Sequence, residues 1–480
     1  MDPSDDLAWM PAWQVRDLVA AREVSPVAVV QASLRRIETL NPKLNAFVNV
    51  CADEALDQAR AAEAAVLRGD ALGPLHGVPV AIKDEAWVAG VRTRAGSLLF
   101  EDFIPDADAV PVRRLREAGA VIVGMTNVPE FMGWSRTANR LIPETVNPWD
   151  LRRSPGASSG GSGAALASGM VPIAIGSDGG GSIRIPSAAN GVVGLFPTPG
   201  RVPDTNSFSY AYIGSLGPMA RNVRDVATMI DVMAGPDGVD QRFAGPASDC
   251  LGGLDRGVAG LRFAWTPDFG YIATDPRVAE RVRAAALGLA LAGAAVEEPG
   301  LVFDDVWEWF GAQIQGHAAF SGQPPPFLAA PAFKALCRQP ESYERLCEYS
   351  QRRKVDAAPL TAEAFATTQA RTRALKRQFD TLFETYDAIL SPTLPVTAPL
   401  LPEGLADPYP TFCCGTYFTA VANLAELPAA SFPCGFVDGL PVGLQVIGRR
   451  GREDTVLQVC RALEQLTAPE DRARRPAWLA

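Results

Sequence analysis

Apolar positions along this chain fall into two alternating patterns: short unbroken runs, and longer stretches repeating at helical spacing. Ser25-Pro26 reads as a helix cap followed by proline at the first helical position, with Val30, Leu34 and Ile37 on one face behind it. Ala52–Leu67 predicts a second helix, ended by Gly69. A strand over Val78–Ile82, a helix over Ala109–Ala118 and a strand over Val121–Val123 come next. Met170–Ile175, Leu261–Ala264 and Ala388–Leu390 read as short buried strands, and Val223–Met233, Arg277–Leu291 and Ala362–Thr385 as helices. Strands over Ala429–Pro433 and Val442–Ile447 precede a closing helix, Asp454–Leu466. This order predicts an α/β fold, a mixed β-sheet sandwiched between α-helices.

No repeat, low-complexity tract or Gly/Ser linker marks a boundary, so the pattern predicts one domain over 1–480, beginning with a helical segment over 1–69. Leu301–Asp356 lacks clear periodicity and carries Trp307, Trp309, Phe310, Phe320 and Pro324-Pro325-Pro326. It reads as a variable cover, roughly 300–360, over one rim of the sheet.

Composition narrows the partners. The chain is 48% hydrophobic and 20% charged, enough apolar residue for a large core. A net charge of −10 argues against nucleic acid or an anionic membrane. No apolar run approaches the roughly 18 residues of a membrane span. The opening MDPSDDLAWMPAWQ lacks the basic and apolar stretches of a secretory signal, so a cytoplasmic protein is expected. Cys51, Cys250, Cys337, Cys347, Cys413, Cys414, Cys434 and Cys460 are scattered and read as reduced core residues. Two histidines, His76 and His317, leave little room for a His-based metal site, and His76 reads as structural. Only five of the 44 basic residues are lysines, which draws attention to Lys83.

The densest chemical signal is Pro155–Gly200, which holds 12 of the chain's 43 glycines around Ser158-Ser159 and Gly179-Gly180-Gly181-Ser182. Main-chain N–H groups bared by glycine can form an anion-binding nest, and a serine beside such a nest suits acyl transfer. Gly156-Ala-Ser158-Ser-Gly160 fits the G-x-S-x-G nucleophile elbow, but only His317 could serve as its downstream histidine, and the preceding Trp149–Pro155 is polar rather than strand-like. A P-loop is excluded, because no lysine lies between Lys83 and Lys334. Lys83 itself ends the apolar run Gly77–Ile82. Burial there lowers a lysine's pKa and frees an amine to act as a base; snorkelling to solvent, or pairing with Asp84 or Glu85, is the plainer alternative.

Four ordered motifs carry a resemblance: Gly73-Pro-Leu-His-Gly-Val-Pro-Val-Ala-Ile-Lys-Asp84, Gly124-Met-Thr-Asn-Val-Pro-Glu-Phe131, Pro155-Gly-Ala-Ser-Ser-Gly-Gly161 and Asp178-Gly-Gly-Gly-Ser-Ile-Arg-Ile-Pro186. Together with Gly194–Thr198, Gly200–Pro203, Leu390–Pro395, Asn423-Leu424 and Gly439–Gln445, they resemble the amidase signature family, most closely over residues 70–235. The resemblance implies a Ser–cis-Ser–Lys triad: Ser182 as nucleophile, Ser158 as proton relay on a cis bond to Ala157, and Lys83 as base. It implies an oxyanion hole of N–H groups from Gly179, Gly180, Gly181 and Ser182, with Asp178 and Arg184 pairing to order the loop. No cofactor or metal is required. The expected activity is hydrolysis of small amides or anilides, with esters and carbamates open, by a monomer or homodimer. The glutaminase subunit of a tRNA-dependent amidotransferase and a non-catalytic binding protein on the same fold are the alternatives. Ala157, Met125, Phe196, Glu85 and Gly179 depart from the family's usual residues; none of them removes a triad atom.

Overall fold

The computed structural model describes residues 7–208, 212–240, 242, 245, 249–320, 327–352, 360–403 and 416–479. Pro324–Pro326, Cys413 and Cys414 lie outside them, as does part of the cover segment. Among the described residues, eleven strands form one mixed sheet. In chain order they are β1 (Phe47–Val50), β2 (Pro79–Lys83), β3 (Val121–Thr126), β4 (Ile173–Asp178), β5 (Val193–Phe196), β6 (Ser215–Ala220), β7 (Arg262–Trp265), β8 (Ala295–Glu297), β9 (Ala388–Pro392), β10 (Ala429–Val437) and β11 (Leu440–Gly448). Their spatial order is β1-β3-β2-β4-β6-β5-β10-β11-β9-β7-β8. β3, β2 and β4 run parallel, whereas β6, β5, β10, β11 and β9 pair antiparallel.

Side-chain alternation explains why both sheet faces need helices. Val80, Ile82, Ile122, Ile173 and Ile175 pack with the Val110–Glu117 and Val223–Met233 helices, while Ala81, Val121, Val123 and Ala174 pack with Pro26–Leu44 and Gly160–Ala167. Adjacent residues of one strand thus feed different cores, as a period of two requires. Fully burying each such Val or Ile is worth about 1.5–3 kcal/mol.

Most expected elements form. Ser25 Oγ accepts from Val27 N and Ala28 N, capping the Pro26–Leu44 helix, and Gly69 ends Ala52–Arg68 at φ 78°. The first segment is more than helical, since Phe47–Val50 adds an antiparallel edge strand to β3. Met170, Val171 and Pro172, read as strand, form a bend leading into β4. The cover region holds a 14-residue helix, Trp307–Phe320, followed by shorter ones at Pro331–Cys337 and Pro340–Arg345. Glu130 ties it to the core, accepting from Ser97 Oγ at 2.7 Å and from Cys347 N at 2.8 Å. Among the described residues no helix is long and apolar enough to cross a membrane.

Candidate active site

β2 and β4 are parallel neighbours, so Lys83 and Asp178, their last residues, emerge on the same edge of the sheet. Crevices outside the carboxyl ends of parallel strands are where such sheets place ligands. The Gly160–Ala167 helix brings Ser158 and Ser159 to that edge. It packs close to the sheet: a Cβ added at Gly161 would lie 2.5 Å from Asn127 N. Ser162 Oγ donates to Ile175 O at 3.0 Å, and Ser159 Oγ donates to Ser177 O at 3.2 Å, which anchors this end of the helix against β4.

Lys83 is completely buried and does not snorkel. Its Nζ lies 2.7 Å from Ser158 Oγ and 2.6 Å from Ser177 Oγ, with Ser177 O at 3.4 Å. It also pairs with Glu85, 3.5 Å away. Burial pulls the lysine down from its ordinary 10.5 to about 8, against the opposing pull of Glu85 and, more weakly, Asp178. Glu85 is pushed up by the same burial, opposed by Lys83 and by the Ser177 hydroxyl that donates to it. Asp84 turns away, accepting from Arg94 N at 2.8 Å and Gly96 N at 3.3 Å, and burial raises it to about 7.

The Ala157–Ser158 peptide bond is cis. Ser159 N donates to Ser182 O at 3.1 Å, which holds the two serine segments side by side. Among the described residues the hydroxyls of Ser158 and Ser182 are not hydrogen-bonded to each other. Ser182 is half-buried.

Asp178 organises the glycine loop. Its Oδ1 accepts from Gly181 N at 2.6 Å and its Oδ2 from Ile183 N at 3.3 Å. Arg184 grips the same carboxylate through Nε and Nη2, both at 2.9 Å, and both side chains are fully buried, not solvated. Burial alone would raise Asp178, but the guanidinium charge and these hydrogen bonds hold it below its ordinary value. The Gly181 N–H, counted among four oxyanion donors from sequence, is therefore engaged by Asp178. The N–H groups of Gly179, Gly180 and Ser182 have no partner among the described residues. Gly181 sits at φ 129°, and an added Cβ would lie 2.2 Å from Thr419 Oγ1. That hydroxyl donates to Gly180 O at 2.6 Å, closing the loop from the far side.

Four further residues at the site are assigned no role in it from sequence. Ser177 bridges Lys83 and Glu85; the signal was available, since Ser177 precedes Asp178 in the strand beside Lys83. Thr419 and Asn423 come from the Thr416–Ala425 helix, and no local pattern links them to the loop. Phe310 of the cover helix lies over Gly180, where an added Cβ would be 2.7 Å from the ring. His76 is structural, its Nε2 lying 3.0 Å from Ala62 O.

A sequence model of the family described as Amidase matches residues 28–457. A Glutamyl-tRNA(Gln) amidotransferase subunit of Moorella thermoacetica is 37% identical, over 98% of this chain and 99% of its own. A bacterial aryl acylamidase of the amidase signature family superposes with a TM-score of 0.85 at 28% identity, over 96% of each chain. The amidotransferase subunit of the same name from Thermotoga maritima gives a TM-score of 0.73 at 33% identity, over 92% of this chain and 91% of its own. With that sheet, that edge and a match across nearly its whole length, the chain belongs to the amidase signature family of C–N hydrolases.

Proposed function

We propose that the protein hydrolyses a carbon–nitrogen acyl bond through an acyl-enzyme on Ser182. The observation that carries the reading is a buried lysine amine, 2.7 Å from Ser158 Oγ, beside three unengaged main-chain N–H groups. Neutral Lys83 takes the proton of Ser158 as Ser158 takes that of Ser182, and Ser182 Oγ attacks the carbonyl carbon. The C=O electron pair moves onto oxygen, where the N–H groups of Gly179, Gly180 and Ser182 receive it. Collapse expels the amine, which leaves with the proton returned along the same serines. Water then repeats the sequence on the acyl-enzyme and releases the acid. Asp178 and Arg184 keep the loop in place.

For the substrate we propose small carboxamides, anilides or other linear amides, with carbamates and esters able to follow the same steps. The higher TM-score against the aryl acylamidase favours a stand-alone amidase. The full-length relatives at 36–37% identity instead favour the second reading, a glutaminase subunit working with partner subunits, and by sequence they weigh more heavily. The test is a panel of anilide, primary amide, glutamine, ester and carbamate substrates with the pure chain. Turnover of anilide or simple amide by the chain alone supports the first reading; silence toward all but glutamine supports the second. A fluorophosphonate mass adduct that survives in Ser182→Ala would overturn the mechanism.

A further inference from the structure

Glu85 and Ser177 take no step in the scheme above, yet both lie against its base. We infer that Glu85, acting through the Ser177 hydroxyl, is a positioning residue that aims the Lys83 amine at Ser158 and sets the pH at which Lys83 becomes a base. The inference rests on the proposed roles of Lys83, Ser158 and Ser182.

The available protons decide the aim. Ser177 Oγ has one proton, and it is donated to Glu85 Oε2. The hydroxyl can therefore meet Lys83 only as an acceptor, at 2.6 Å. Ser177 O, at 3.4 Å, is an acceptor by nature. A neutral lysine has two N–H bonds and one lone pair. With both N–H bonds directed at the two Ser177 oxygens, the lone pair is left for the third neighbour, Ser158 Oγ at 2.7 Å. Without Glu85 the Ser177 hydroxyl is free to donate to the amine and occupy that lone pair.

Glu85 also acts by its charge. It is the ion-pair partner of Lys83, 3.5 Å from Nζ, in a site closed to solvent. The other charges that face the pair are accounted for. On β4, Asp178 is matched by Arg184. Beyond β2, Asp84 is turned to the N–H groups of Arg94 and Gly96. Asp204 opposes ionisation of Glu85 and is itself 4.0 Å from Arg242. A carboxylate this close favours the protonated amine, by about one to three pH units in general. Its removal must move Lys83 titration to lower pH while loosening the aim of the amine.

The test is the rate at which fluorophosphonate labels Ser182, followed from about pH 5 to 10 in the wild type, Glu85→Gln, Glu85→Asp and Ser177→Ala. This readout needs no knowledge of the natural substrate. The expected result is an ascending limb displaced to lower pH by about one unit or more in Glu85→Gln. Ser177→Ala shifts the same way, because the ammonium loses an acceptor. Glu85→Asp, which keeps the charge, leaves the limb near its wild-type position. Both neutral variants reach a lower plateau. Limbs for Glu85→Gln and Ser177→Ala that coincide with the wild type overturn the inference while leaving the Lys83 mechanism standing. A wild type that labels without any pH dependence, or not at Ser182, overturns both. Should Glu85→Gln fail to fold, Ser177→Ala decides alone, since it removes one hydroxyl and no charge.

Discussion

Replacing Arg184 by methionine should be among the most damaging single changes available outside the triad, and its pH dependence identifies the cause. The guanidinium makes five hydrogen bonds to acceptors in a fully buried site: two to Asp178, and one each to Thr419 O at 2.9 Å, Gln445 Oε1 at 2.8 Å and Asn423 Oδ1 at 2.6 Å. Removing one partner of such a pair leaves an uncompensated buried charge, which costs about 3–5 kcal/mol. The sign follows from Asp178. In the wild type its pKa lies below the ordinary value, so the stability it contributes is present above the unfolded pKa and is lost as pH falls through the folded one. In Arg184→Met, burial dominates and the folded pKa rises above the unfolded value. The variant then gains stability relative to its own neutral-pH state as Asp178 takes up a proton. Urea unfolding should show the full deficit at about pH 7 and a smaller one at about pH 5. The double variant Asp178→Asn/Arg184→Met should recover more than about 1 kcal/mol, because it removes the orphaned charge along with its partner. A deficit below about 1 kcal/mol, or one equal at both pH values, would refute the claim that the paired charge holds this loop.

Two further outcomes follow from the same geometry. Gly181→Ala places a Cβ 2.2 Å from Thr419 Oγ1 at a φ of 129°, so the loop must move, and acylation measured by stopped-flow should fall by about 100-fold or more, as when an oxyanion donor is lost; a near-wild-type rate would mean that the loop does not bind the oxyanion. With Lys83 at about 8, the neutral amine is the minority form at pH 7 and the majority form at pH 9, so labelling of Ser182 should rise across that interval, and Lys83→Met should lower it by about 100- to 10,000-fold; a flat wild-type profile would remove lysine from the role of base.

The sequence was most informative where one face of an element meets one core. Val223–Met233 and Ala362–Thr385 form with the bounds their periodicity predicts, since each presents a largely apolar buried stripe. It was least informative where close approach replaces side chains. Gly160–Ala167 is given no element from sequence, because glycine is among the poorest helix formers, yet it is helical. There the missing Cβ at Gly161 permits close approach to the backbone of Asn127, just past the end of β3. β6 was missed for a related reason. Gly217 and Pro218 interrupt its pattern, although Pro218 sits opposite Ile175 in the middle of the sheet. The cover helix Trp307–Phe320 has Gly316 pressed against Phe365, a partner 49 positions away that no local window contains.

The same distinction divides the site. The proximity of its proposed groups was legible by type, because a serine beside bared amides and a lysine ending an apolar strand each have few uses. Their supports were not. Thr419, Asn423 and Gln445 reach Arg184 from 235 to 261 residues away, through a helix and a strand that follow the cover segment. The proposed base is held otherwise: Lys83 and Ser177 lie on β2 and β4, Glu85 just past the end of β2, and Ser158 in the segment before the Gly160–Ala167 helix. Under the proposed mechanism, proton transfer and oxyanion binding are thus held by different parts of the chain, which meet at Asp178-Gly-Gly-Gly-Ser182. A substitution in the cover or the C-terminal third can reshape the loop and the space above Gly180, where Phe310 lies, while touching Lys83 only through the weak pull of Asp178. Change at Glu85 does the reverse. Substrate choice and pH dependence should therefore vary independently in this protein, the first with residues around Phe310 and Thr419, the second with Glu85 and Ser177.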